Sequence, residues 1–340
     1  MGSRSNTIEN FRALRVHQDK SGNFYRRIEE RSVDELPAGE LLVQVQYSSL
    51  NFKDALSATG AKGVTRHYPH TPGIDIVGKV IESTGKRIQC GEQVIATGFN
   101  LGMDTDGGFG QLVRIPENWA LLKPAELDTL DSMVLGTAGL TAALSISKLE
   151  QFGMKPDLGP VLVTGATGGV GCIAIALLHQ IGYAVHVVTG KQHQHEFLRS
   201  LGADYILSRE EALERSDRPL QKEQWGGVVD TVGGDTLMNA IKGLRRECSA
   251  TTCGLVSSPF FQGSVLPFIL RHVNLLGIDT AELALAQRAN LWGRLADEWK
   301  VQHLARIHTE TFILQNLEAG IAKILCGEMV GRGVVDLQNS

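Results

Sequence analysis

The strongest chemical signal in this sequence is the run Val161-Leu162-Val163-Thr164-Gly165-Ala166-Thr167-Gly168-Gly169-Val170-Gly171. An apolar strand passes into a glycine turn and then into an apolar helix. Glycine lets the backbone reach positive φ and come close to a pyrophosphate. The helix N-terminus adds unpaired N–H groups and the positive end of a dipole. Gly165, Thr167, Gly168, Gly169 and Val170 are the candidate phosphate contacts. Strand, helix and next strand follow in the order a dinucleotide fold requires, so the pattern is more specific than an isolated glycine motif. The competing use of such a turn is only to pack helix against strand.

The end of the second strand selects the dinucleotide. NAD sites place Asp or Glu there to hold the ribose 2′-OH. Here the strand ends Val188-Thr189-Gly190-Lys191, and no Asp or Glu occurs between Asp157 and Glu196. A carboxylate would repel a 2′-phosphate, whereas Lys191 attracts it and Thr189 can donate a hydrogen bond. Arg209, just past the third strand, supplies a second cation. Thr189, Gly190, Lys191 and Arg209 therefore predict NADPH rather than NADH; the alternative use of Lys191 is as a solvated surface charge. His193 and His195 lie nearby, but catalytic zinc needs three protein ligands and no third is evident.

These groups need elements to position them. The first third of the chain reads as β-rich, with short strands expected over residues 11–16, 24–28, 41–47, 74–82, 93–97 and 110–115. Gly78 marks a possible bulge, and glycine turns separate the strands, as in a compact barrel. The texture changes near Leu130. A helix is expected over 131–149, with Gly136 and Gly139 allowing close packing. Strands over 160–164, 184–189, 205–207, 227–230, 247–253 and 275–279 then alternate with helices over 172–181, 193–201 and 236–244, which implies parallel βαβ units. The tail holds helices over 283–299 and 317–326 and strands over 308–312 and 333–336.

Composition limits the function classes. The chain has 340 residues, of which 38 are glycine, without a G-X-Y period. The formal net charge is −4, so no general basic character favours nucleic acid. The five cysteines form no C-x-x-C, which argues against a disulfide framework or a structural zinc and fits a reducing cytoplasm. No apolar run reaches the roughly 20 residues of a membrane helix, and the N-terminus lacks a secretory apolar region. Residues 1–5 read as a cloning scar and are set aside. A cytoplasmic protein acting on a small molecule is expected.

Three further segments carry a resemblance to the medium-chain dehydrogenase/reductase superfamily. They are Ser48-Ser49-Leu50-Asn51-Phe52-Lys53-Asp54, Pro72-Gly73-Ile74-Asp75-Ile76-Val77-Gly78 and Gly136-Thr137-Ala138-Gly139-Leu140-Thr141-Ala142. Pro267 to Arg271, Gly277 to Thr280 and Asp230-Thr231-Val232-Gly233 resemble its zinc-free YhdH/AcuI branch of quinone oxidoreductases and acrylyl-CoA reductases. The likeness covers residues 11–337. It implies an α/β protein: a discontinuous GroES-like β-barrel catalytic domain, residues 11–130 and 303–340, around a Rossmann doubly wound parallel-sheet nucleotide-binding domain, residues 131–302. The cofactor of the family lies in the cleft between them.

The positions where zinc relatives carry ligands hold Asn51 to Asp54 and Gly73-Ile74-Asp75 here, so the resemblance implies hydride transfer without a metal. The expected reaction is reduction of an activated C=C bond, acrylyl-CoA to propionyl-CoA. Reduction of a quinone or small enone and low-turnover NADPH binding are the alternatives. Asn51 is the first catalytic candidate, holding the nicotinamide or a substrate oxygen. Asp54 is the second, orienting a polar network. Their ordinary uses are as a turn residue and a helix cap. Phe52 stands where many relatives have Tyr, so it can wall the nicotinamide but not donate a proton, and water is left as the acid. Thr141, Leu255, Ile269 and Thr280 match family cofactor positions. Arg66, His67 and His70 read as a surface cluster or a CoA contact, and Trp292 and Trp299 as core or interface. The family commonly forms homodimers, and the apolar stretch 260–270 suits an interface.

Overall fold

The computed structural model describes residues 9–213, 218–302 and 304–340; residues 1–5, set aside above, lie outside the described residues. In chain order the elements begin with β1 (Asn10–Gln18), β2 (Phe24–Ser32), β3 (Leu41–Leu50), α1 (Phe52–Ala58), β4 (Asp75–Ser83), β5 (Gln93–Thr97), β6 (Leu112–Ile115), β7 (Ala120–Leu122) and α2 (Thr129–Gln151). Then come β8 (Val161–Val163), α3 (Gly169–Gln180), β9 (Val185–Val188), α4 (His195–Ser200), β10 (Tyr205–Leu207), α5 (Arg209–Leu213), β11 (Gly227–Asp230) and α6 (Gly234–Lys242). The chain closes with β12 (Ser249–Thr252), α7 (Leu266–Arg271), β13 (Asn274–Gly277), α8 (Leu285–Ala296), α9 (Leu304–Ile307), β14 (His308–Phe312), α10 (Leu317–Leu325) and β15 (Arg332–Asp336).

Two compact units result. The first carries the described residues up to Thr137 with Ala284–Ala289 and His308–Ser340; the second carries Ala138–Leu283 and Asn290–Ile307. In the first, a sheet runs β14-β15-β3-β4-β5-β7, with β6 also on β3, beside the β1–β2 hairpin. The tail returns to this unit through the sheet itself: β15 lies antiparallel to β3, with Val334 opposite Ser49 and Val335 opposite Ser48. The β3–β4 register slips between Val45 and Tyr47, beside the expected bulge at Gly78. Leu41, Val43, Val45, Ile76 and Val113 fill the core between the strands.

In the second unit six parallel strands take the order β10-β9-β8-β11-β12-β13. β8 and β11 are buried on every residue, as central parallel strands must be, and so read as short apolar runs. From β8 the chain adds β9 and β10 on one side, and from β11 it adds β12 and β13 on the other. The strand ends between β8 and β11 therefore form a topological switch point, where such sheets open a crevice for ligands. Trp292 and Trp299 are core residues of this unit.

Two sequence expectations need correction. α2 is 23 residues long and apolar enough to pass for a membrane span, although no such run was expected. In its most apolar window 78% is buried inside the protein, so its apolar side chains are used in the interior. Gly136 permits the expected close packing, but at an unexpected break in the helix, φ 48°, ψ −150°. The pattern also passes over α1, β7 and α7, each too short to show a period.

Candidate functional site

A buried polar knot occupies the first unit. Asn51 sits just before α1. Three residues on, Asp54 accepts the Asn51 N–H on Oδ2 and the Ile74 N–H on Oδ1, both at 2.8 Å. One carboxylate thus caps α1 and ties it to the approach of β4. Asp54 is fully buried. Burial, with the charge of Asp75 adding to it, pushes its carboxyl up to about 7, against the opposite pull of the two N–H donors.

Asp75, the first residue of β4, collects the remaining motifs. Its Oδ2 accepts from Ser49 Oγ, from Asn51 Nδ2 at 2.8 Å and from the Thr137 N–H at 2.9 Å, and its Oδ1 accepts from Thr137 Oγ1 at 2.5 Å. Arg332, at the start of β15, donates from Nη1 to Asn51 Oδ1 at 3.0 Å and from Nε to Val134 O at 2.9 Å. The break at Gly136 is what brings Thr137 to Asp75. A Cβ on Gly136 would lie 2.6 Å from both Asp75 Oδ2 and Ser49 Oγ. Both ends of the Asn51 amide are engaged within the knot, by Asp75 and by Arg332. Phe52 is half-buried on the first turn of α1. Arg332 escaped the sequence reading, and Ser49 entered it only as part of a motif; the one available signal for Arg332 was a charged residue entering the apolar strand Gly333-Val334-Val335.

The strand ends of the second unit are organised differently. Gly165 turns the chain after β8 at φ 61°, and a Cβ there would lie 2.1 Å from Thr231 Oγ1. Gly168 is the N-cap of α3, and no side chain caps that end. Its first N–H groups, on Gly169 and Val170, are therefore suited to an anion. Thr167 is buried beside them.

After β9, Thr189 Oγ1 accepts the Lys191 N–H at 3.0 Å. Arg209, at the head of α5, lies over this turn: a Cβ on Gly190 would be 2.8 Å from its Nε. The turn thus gathers a hydroxyl and two cationic residues, and no carboxylate belongs to the segment. That donor set fits a 2′-phosphate, and with the Gly165 turn it fits a phosphorylated dinucleotide.

Thr141 and Thr280, 139 residues apart, meet with their hydroxyl oxygens 3.1 Å apart. Leu255 lines a cavity of about 560 Å³ with Lys148, Thr252, Cys253, Ile278 and Asp279. Ile269, exposed on α7, is not among its lining residues. Burial, with the charge of Asp230 adding, pushes the Cys253 thiol up to about 12, so it is no nucleophile near neutral pH. His70 is buried, with Nε2 2.9 Å from Gly102 O, and burial lowers its pKa, so it is not part of a surface cationic cluster. Arg66 is exposed beside Asp104.

A family model described as zinc-binding dehydrogenase matches residues 169–293, and one described as alcohol dehydrogenase GroES-like domain matches residues 37–125. Acrylyl-CoA reductase AcuI of Ruegeria pomeroyi is 41% identical over 329 residues, covering 96% of this chain and 99% of that one. Putative quinone oxidoreductase YhfP of Bacillus subtilis is 39% identical over 306 residues, 90% of this chain and 93% of its own. The crystal structure of YhfP with NAD bound matches with a TM-score of 0.93, covering 96% of this chain and 99% of that one. The YhdH oxidoreductase of Salmonella enterica, crystallised with NADP, is 38% identical with a TM-score of 0.92 and the same coverage.

The zinc of the first description does not fit this chain. Among the described residues no three His, Cys, Asp or Glu side chains stand together. The carboxylates of Asp54 and Asp75 are occupied by N–H and O–H donors.

Proposed function

Because this chain belongs to the medium-chain dehydrogenase/reductase superfamily, in the branch of the AcuI acrylyl-CoA reductases and YhdH/YhfP quinone oxidoreductases, we propose that it is an NADPH-dependent reductase of an activated C=C bond. Acrylyl-CoA is the proposed acceptor and propionyl-CoA the product. The observation that carries this reading is the 41% identity to an acrylyl-CoA reductase across 96% of the chain.

When bound, NADPH supplies the hydride that the β-carbon of the enoyl thioester takes up. Gly165, Thr167, Gly168, Gly169 and Val170 would hold its pyrophosphate. Thr189, Gly190, Lys191 and Arg209 would hold its 2′-phosphate. Thr141, Leu255, Ile269 and Thr280 would line the rest of the dinucleotide site. In the proposed catalytic domain, residues 11–130 and 303–340, Asn51 is fixed by Asp75 and Arg332, and Asp54 sets the start of α1. These residues orient rather than transfer protons, and the aromatic ring of Phe52 offers no proton, so water is the proposed acid. The nucleotide-binding domain is residues 131–302.

A quinone is the second acceptor to test, on the strength of the name and 39% identity of YhfP. Low-turnover NADPH binding is the third reading. NADPH oxidation measured with acrylyl-CoA, with 1,4-benzoquinone and without acceptor separates them. Turnover with the quinone alone overturns the first choice, and tight binding without turnover favours the third.

A homodimer is also proposed. Val256, Phe260, Val265 and Leu270 are exposed apolar side chains, and β13 is an edge strand of the parallel sheet. A cytoplasmic location is proposed from the five free cysteines.

A further inference from the structure

We propose that Asp230 is a positioning residue of the cofactor site, joining the β8 turn to the loops after β11 and β12 across the switch point. This rests on the NADPH reading and concerns how the two halves of that site are held in register.

Asp230 ends β11 and is completely buried. Its Oδ1 accepts from Thr164 Oγ1 at 2.7 Å. Its Oδ2 accepts the Gly233 N–H at 2.9 Å and Thr252 Oγ1 at 3.0 Å. Thr164 follows β8, and Thr252 ends β12. One carboxylate therefore reaches the ends of three adjacent parallel strands. Thr164 extends the joint: its Oγ1 accepts the Thr231 N–H at 3.0 Å, and its carbonyl accepts Thr231 Oγ1 at 2.9 Å.

Each strand end leads directly into a segment facing the crevice. Thr164 precedes the Gly165 turn, Asp230 precedes Thr231 to Gly233, and Thr252 precedes Cys253 to Leu255. In a doubly wound sheet of this order, the dinucleotide lies across the switch point with one half on each side. Thr189, Lys191 and Arg209 belong to the β8–β10 side, Leu255 and Thr280 to the other. Asp230 is bonded to a strand end on each side, Thr164 and Thr252, next to the Thr164–Thr231 bonds. An apolar side chain would pack a buried position without desolvating a charge. The two Asp230 oxygens accept the Gly233 N–H and two hydroxyls, which an apolar side chain could not.

Asp230→Asn keeps the volume and removes one acceptor. The hydroxyls of Thr164 and Thr252 can reverse their roles, whereas the Gly233 N–H cannot. Thr252→Val cuts the β12 arm alone, and Thr252→Ser restores it. Calorimetric titration of the folded full-length chain with NADPH, and with 2′,5′-ADP as a probe of the adenosine half, tests the proposal. Asp230→Asn is expected to weaken NADPH about tenfold and 2′,5′-ADP less than about threefold. Thr252→Val is expected to weaken NADPH about threefold, leave 2′,5′-ADP unchanged and recover with Ser. Unchanged affinity for NADPH in both variants, or equal losses for the two ligands, overturns the proposal. Should Asp230→Asn fail to fold, the Thr252 pair decides alone. A wild-type chain that binds neither ligand would instead overturn the NADPH reading itself.

Discussion

The polar knot of the first unit and the strand-end platform of the second use their hydrogen-bonding atoms in opposite ways. In the knot, Asp75 bonds Asn51 and Thr137, Asp54 accepts the Asn51 N–H, and Arg332 donates to the Asn51 amide oxygen. In the platform, one buried carboxylate holds the strand ends together, while the start of α3 has no side-chain cap and Thr189 accepts the Lys191 N–H. The first arrangement fixes backbone and a side-chain amide in place; the second leaves the first N–H groups of α3 without a side-chain cap. Losses in the knot should therefore appear first as stability, and losses in the platform as cofactor affinity.

The largest effect is expected in the knot. Gly136→Ala puts a Cβ against Asp75 and Ser49 at a backbone conformation unfavourable to L side chains, and should cost about 3–4 kcal/mol of stability in chemical denaturation. A loss below about 1 kcal/mol would mean that the knot yields easily, and the contrast with the platform would fade. In the platform, Lys191→Ala should weaken NADPH about thirtyfold while barely changing NADH in fluorescence titrations. Equal losses for both cofactors would remove the 2′-phosphate assignment.

A smaller effect concerns Asp54. Its folded pKa, about 7, lies above its unfolded value of 3.8, so its stabilising protonation is fully present below about pH 4 and is lost as pH rises through 7. The stability advantage of wild type over Asp54→Asn should accordingly narrow between pH 6 and pH 7, by about 1 kcal/mol in thermal melts. An advantage that widens over this range would show that the Asn51 and Ile74 N–H groups outweigh burial. The smallest change is expected at Phe260→Ser, which should leave NADPH affinity intact and shift sedimentation toward monomer. Unchanged sedimentation of a wild-type dimer would place the interface elsewhere.

The platform was the more legible region. β8 and β11 are apolar runs, the Gly165 turn follows directly, and the missing acid after β9 is a local feature, so short windows of sequence contain them. The knot depends on pairing between distant segments. Asn51, Asp75 and Thr137 lie in three separate motifs, and the bond from Arg332 to Asn51 spans 281 residues. The only local sign of the buried Arg332 is the apolar run Gly333-Val334-Val335 that follows it, and that run does not name its partner. α1 has seven residues, too few to display a period, so the capping role of Asp54 stood as only one of two readings. Asp230 was visible as part of a family motif, but its partners are set by strand order, which the sequence does not display.

The most direct test of the proposed chemistry is isotopic. NADPH carrying deuterium at the transferred position would be incubated with the chain and acrylyl-CoA, and the thioester product examined by mass spectrometry and NMR. The proposal predicts propionyl-CoA with one deuterium on the former β-carbon, formed in proportion to NADPH consumed. No labelled propionyl-CoA, with rapid quinol formation when benzoquinone replaces the thioester, would contradict it.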